Sequence, residues 1–301
     1  MSESPDQFSM NPEQIAMMQS QQNSNPLHKF MRQPSIYVKL PSNGNFYPRN
    51  TLEMPINGEV AILPMSTRDE IGVNTPDALL NGQAVVDMIH SCVPSIKNAW
   101  CVPAIDLDTL FIAIRIASYG EKMEYTSTCP ECNNSDNYEI DLKQFLDMPV
   151  DISGFEAPFM YKNMQIFMKP ADFETVNMQN QEQFEQQRLI VVINDSELDN
   201  EEKQRRFTQI FRKMTEYTVK NVSGSISHII TPEGETVTDP NFIAEFVSNS
   251  ERALFDGVRK HLEKVVAGIP EKKVNTKCDS CSHEYTTPFT FDQSNFFAYA
   301  S

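Results

Sequence analysis

The sequence predicts an α+β protein in which an N-terminal α/β region and a helix-rich middle are joined by a split four-cysteine zinc ribbon. Three observations predict it. Short strand-like and helix-like patterns interleave up to residue 150, and two long amphipathic patterns dominate the next stretch of chain. Two Cys-x-x-Cys units also stand far apart, Cys129/Cys132 and Cys278/Cys281. The chain therefore divides into a flexible tail (1–33), an α/β domain with the first knuckle (34–150), a mostly helical insertion with a β-hairpin (151–270), and a second knuckle with an apolar end (271–301).

Residues 1–33 are rich in Met, Gln, Asn and Ser and can bury little apolar surface, so they read as a tail that orders on a partner. Residues 36–40 form a short strand. Pro41, Ser42, Asn43 and Gly44 then supply turn chemistry, and Phe46, Tyr47 and Pro48 restart an extended segment. Residues 59–64 read as a second strand. Thr67 and Glu70 have capping-box spacing, which starts a short helix. A further helix over 82–90 places Val85, Val86 and Ile89 on one face.

The most regular helix spans 106–119. Leu107, Leu110, Phe111, Ile114 and Ala117 recur at helical spacing, with Asp106 placed to cap the start and Gly120 to end it. Ile112 and Ile116 widen the apolar surface, so this helix is buried on more than one side. Arg115, inside that run, reads as a salt-bridging or snorkelling side chain rather than a catalytic one.

Residues 121–128 and 137–140 flank the first cysteine pair as a hairpin, and 159–168 alternates as at least one strand. Long helices come next over 172–193 and 201–217, the second with a packing stripe of Phe207, Ile210, Phe211, Met214 and Tyr217. Residues 226–230 and 235–237 make a β-hairpin. Asp239-Pro240 opens a helix, with Asp as cap and Pro at the first position. Ser248 and Glu251 form another capping box, from which Leu254, Val258, Leu262 and Val265 carry a helix to Gly268.

Composition bounds the function. The chain is 40% hydrophobic with 19 Phe, 9 Tyr and one Trp, which supplies a globular core and excludes disorder throughout. No apolar run approaches the roughly 20 residues of a membrane helix, and the start, with Glu3 and Asp6 and no apolar stretch, is no secretory signal. The chain thus reads as soluble and intracellular. The 25 basic against 41 acidic residues give a net charge of −16, which argues against a broad footprint on nucleic acid and for protein partners.

The four paired cysteines carry the one chemical signal. Each unit reads as a strand, a tight turn bearing two thiols, and a returning strand, which is the pattern of a zinc knuckle. Two thiolates leave Zn²⁺ half coordinated, so Cys129, Cys132, Cys278 and Cys281 should meet as the ligands of one structural zinc. A closed four-thiolate site has no open position for water or substrate, so its role is to staple two distant segments. His283 in place of one thiol is the alternative ligand, and a redox dithiol lacks its usual context. Cys92 and Cys101 read as small buried hydrophobes.

No phosphate-binding Gly loop, His-Glu-x-x-His or Gly-x-Ser-x-Gly is present in the sequence. The histidines at 28, 90, 228, 261 and 283 show no metal or triad spacing, so the chain reads as a non-enzyme without a small-molecule substrate.

Several strings resemble one family. They are residues 40–47 (LPSNGNFY), 64–70 (PMSTRDE) and 108–120 (DTLFIAIRIASYG), then Cys129-Pro-Glu-Cys132, the Cys278/Cys281 pair and Phe296-Phe297. Together they resemble the T4-type phage baseplate hub proteins, known as hub subunits or hub assembly chaperones. The resemblance runs from about residue 36 onward and is thin over 150–270. It implies a non-enzymatic role in building the central hub of a contractile-tail baseplate in the host cytoplasm, and it fits both a protein that stays in the virion tail and one that leaves after assembly. Its implied partners are other hub or tail proteins, with no membrane and no nucleic acid, and both ends of the chain are the expected docking segments. The competing reading is a zinc-ribbon adaptor of a transcription or replication machine that acts through protein partners. A lysozyme-like hub enzyme would need paired carboxylates in a cleft, which the sequence does not locate.

Overall fold

The computed structural model describes residue 27 and residues 30–75, 82–193 and 200–289. The apolar end over 290–301 and nearly all of the 1–33 tail lie outside these. In chain order, β1 (Ile36–Lys39) and β2 (Glu59–Ile62) precede α1 (Thr67–Val73), α2 (Gln83–Cys92), a 3₁₀ turn (Ala99–Cys101) and α3 (Ala104–Tyr119). The first knuckle hairpin is β3 (Lys122–Thr128) and β4 (Ser135–Asp141), followed by the single turns α4 (Lys143–Leu146) and α5 (Ser153–Glu156). Next come β5 (Phe159–Tyr161), β6 (Met164–Met168), and the long helices α6 (Phe173–Ile193) and α7 (Asn200–Gly224). The chain continues through β7 (Ile226–Ile230), β8 (Thr236–Val237), α8 (Pro240–Asn249) and α9 (Arg252–Ala267) to β9 (Lys273–Lys277) and β10 (Glu284–Pro288).

The strands pair as three two-stranded antiparallel ladders and one four-stranded sheet, β5-β6-β7-β8, among the described residues. Helices and small antiparallel sheets around shared cores make this the α+β class. Two hydrophobic cores result. The first gathers β1, β2, α2 and α3 around Val60, Ile62, Met88, Leu110, Ile112 and Ile114. The second gathers Ile166, Met168, Ile229, Ile243, Leu254 and Val258 between the four-stranded sheet and α8–α9.

One short segment stitches the cores together. Leu40 is buried in the first core, while Phe46 packs on the second, its ring 5.6 Å edge-on from Phe155. Between them the backbone turns sharply, with φ positive at Asn43, Gly44 and Phe46. Glycine suits position 44 because its φ of +81° is one that L side chains rarely adopt. Phe46 at φ 71° is strained for an aromatic residue, so the extended segment expected over 46–48 begins one residue late.

The stitch is fastened to α3 by a buried carboxylate. Asp106 is fully buried and accepts from the Ser42 backbone N–H at 2.8 Å, the Ser42 hydroxyl at 2.6 Å and the Tyr47 hydroxyl at 3.0 Å. Burial raises its carboxyl to about 6 against these three donors, and the same burial raises the Tyr47 phenol. Asp106 is therefore not the cap of α3. The helix starts at Ala104 after Pro103, where the Ala104 N–H donates to the Ala171 carbonyl and leaves the Asp106 side chain free to face inward.

Two other caps also move. Ser66 and Asp69, not Thr67 and Glu70, form the capping box of α1, because Asp69 is held inward by a hydrogen bond from Ser91. Ser248 lies within α8 and donates to the Ala244 carbonyl, while Glu251 is the N-cap residue of α9 without a side-chain bond. Asp239 and Pro240 do open α8 as expected, with Asp239 accepting from the Asn241 N–H. Arg115 is buried and sits 5.2 Å from the Tyr119 ring centroid. Of the α7 stripe, the side chains of Phe207, Ile210, Phe211 and Met214 lie outside the described residues.

Candidate metal centre

Each knuckle obeys the same local rules. In the first, Cys129 N–H donates to Asn134 O and Asn133 N–H donates to Cys129 O, both at 2.9 Å. In the second, Cys278 N–H donates to His283 O and Ser282 N–H donates to Cys278 O, again at 2.9 Å. The two turns thus correspond residue for residue: Cys129 to Cys278, Cys132 to Cys281, and Asn133 to Ser282. Asn133 and Ser282 both adopt left-handed backbone, at φ 56° and 59°. In each unit the first cysteine is buried and the second exposed.

The hairpins that carry the turns pair in matching register, Thr128 with Ser135 and Lys277 with Glu284 at the last rung before each turn. Near the turns they meet through hydroxyl groups. Tyr125 bonds Thr276, Ser127 bonds Thr287, Tyr285 donates to Ser127, and Asn134 donates to Ser280. Anchorage to the rest of the fold is apolar. Val274 enters the first core and Phe289 stacks on Phe145 at 5.0 Å.

This pairing brings the four sulfurs, from positions far apart in sequence, within 4.8 Å of one another. Cys129 Sγ lies 3.7 Å from Cys281 Sγ, and Cys132 Sγ lies 3.5 Å from Cys278 Sγ. A tetrahedron of sulfurs about a zinc ion with Zn–S bonds near 2.3 Å has edges of about 3.8 Å. A disulfide would need about 2.05 Å. The spacing is compatible with four ligands of one metal ion and too long for bonded sulfurs.

The electrostatics favour a cation at the centre. The Cys281 backbone N–H is the chief cause drawing the Cys278 thiol down to about 7, with the Ser280 N–H acting the same way against burial. At Cys281 the His283 N–H favours the thiolate, but local desolvation and the neighbouring thiols push it up to about 12. At Cys132 the Asn134 N–H plays the equivalent part and is likewise outweighed. One negative charge is easily held and further ones repel, unless a divalent ion draws off the protons.

All four cysteines singled out in the sequence therefore converge. His283 contributes its backbone to the turn, and its ring stacks on Tyr285 at 6.2 Å. Cys92 is buried in the first core, and Cys101 accepts from Asn98 Nδ2 at 3.2 Å. His90 accepts from the Ala99 N–H and His228 stacks on Phe167. Sequence reasoning missed the hydroxyl seam and the left-handed Asn133 and Ser282. A signal existed: Ser and Thr crowd both hairpins, and a small polar residue comes directly after the second cysteine of each pair.

No described helix is long and apolar enough to cross a membrane. A family model described as T4 bacteriophage base plate protein matches residues 34–298. No curated protein and no solved structure matches the chain.

Proposed function

Because the chain belongs to the T4 bacteriophage base plate protein family, we propose that it is a non-enzymatic component of the central hub of a contractile-tail base plate, acting through contacts with other hub or tail proteins. In this reading Cys129, Cys132, Cys278 and Cys281 hold one structural Zn²⁺. The observation that carries the metal assignment is the pair of equivalent knuckles facing each other at ligand spacing. With four thiolates bound, the ion offers no open position for catalysis and supplies folding free energy.

The staple has a clear mechanical task. The segment between the two knuckles contains every fully buried residue of the second core and the long helices α6 and α7. Fixing both of its ends at one ion holds that segment against the first core during assembly. The ion would add a covalent-strength tie to the hydroxyl seam between the hairpins. The acidic surface, with a net charge of −16, suits protein partners better than nucleic acid.

Affinity capture on the zinc-loaded full chain from phage-infected cells tests the hub role. Recovery of other base plate or tail proteins in stoichiometric amounts is the expected result. Recovery of transcription or replication proteins instead would replace it with the adaptor reading.

A further inference from the structure

A groove of about 1210 Å³ runs between the two cores, bounded by the start of α3, the ends of α7 and α9, and the entry to β9. Its floor is apolar: Ile105, Phe145, Met148, Val150, Leu262 and Ile269. The cations lining it are paired, Lys272 with Asp108 at 2.8 Å, Lys273 with Glu271 at 3.3 Å and Arg259 with Glu263 at 3.3 Å. The groove therefore asks for an uncharged, aromatic-rich chain. Val266, which is half exposed, stands on its wall.

The last described residues, Pro288 and Phe289, themselves line this groove. The next twelve residues of the chain have the matching chemistry. Residues 290–301 carry Phe291, Phe296, Phe297 and Tyr299, with Asp292 as their one charged side chain. Eight residues beyond Phe289 reach up to about 27 Å when extended. Attachment at the rim gives the segment an effective concentration in the millimolar range, which a free partner seldom matches.

We propose that the groove is the seat of the chain's own 290–301 segment. The assignment rests on neither the metal nor the hub reading, and it gives the segment an intramolecular seat in place of the docking role expected from sequence. The test replaces Phe297 in the full chain with a benzophenone photocrosslinking analogue and maps the adducts by mass spectrometry at low protein concentration. Adducts within one chain to groove residues such as Met148, Leu262 and Ile269 are expected. Val266→Glu, which places a charge on the wall, should cut their yield about tenfold or more. Adducts solely between chains, or solely to residues outside the groove, would overturn the proposal, as would a yield unmoved by Val266→Glu. The unsubstituted map decides the matter even if that variant does not fold.

Discussion

Asp106→Asn should change the pH dependence of stability in a specific direction. Asp106 is fully buried, and burial holds its carboxyl near 6, above the 3.8 expected of the unfolded chain. The folded state therefore binds the proton more tightly than the unfolded one. Stability from this group is fully present below about pH 4 and is lost as pH rises through 6. A difference of about 2 pH units corresponds to about 3 kcal/mol. Asparagine keeps the shape and cannot ionise, and its amide can donate to the Ser42 and Tyr47 hydroxyls that now donate to Oδ2. The variant should lack this loss. Cysteine–metal ligation weakens toward acid with the opposite sign, but it is common to both proteins and cancels in their difference. Urea titrations of both chains at pH 4, 5, 6 and 7 give the test. The stability of wild type relative to Asp106→Asn should fall by about 2.4 kcal/mol from pH 4 to 7. A flat difference, or one rising with pH, would refute the reasoning that burial outweighs the three donors.

Other substitutions test separate parts of the fold. Ser282→Gly relieves a left-handed backbone at φ 59° and should stabilise the protein by about 0.5–1 kcal/mol, read as a melting temperature about 2 °C higher. A lower melting temperature would show that the Ser282 side chain matters in its own right. Gly257→Ala should cost about 1–3 kcal/mol by chemical denaturation, because its Cβ would overlap the Phe159 ring. An unchanged midpoint would mean that the contact between α9 and β5 is loose enough to yield. Replacing Cys92 and Cys101 together by Ala should leave the metal content measured by mass spectrometry unchanged, since neither belongs to the four-sulfur cluster. A halved content would place one of them in the site.

Local patterns carried much of this molecule. The α3 helix was legible because its apolar residues wrap more than one face, and most of them are buried from Leu107 to Ile116. The knuckles were legible because ligand spacing is itself a sequence signal. Asp106 was misread for a physical reason: an acid near a helix start is ordinarily a cap, and only the distant Ser42 and Tyr47 reveal the inward role. Its position four residues before Leu110, on the apolar stripe, was the available hint. The pairing of Tyr125 with Thr276 and of Phe145 with Phe289 links distant segments, and no local periodicity encodes it. The role of residues 40–47 as a stitch between two cores likewise depends on a second core built much later in the chain.

The most direct test of the zinc staple is the metal content of protein purified without added zinc, compared between wild type and Cys278→Ser. One zinc per chain, lost in the variant together with thermal stability, is the predicted result. No metal, four free thiols and an unchanged melting transition would contradict it.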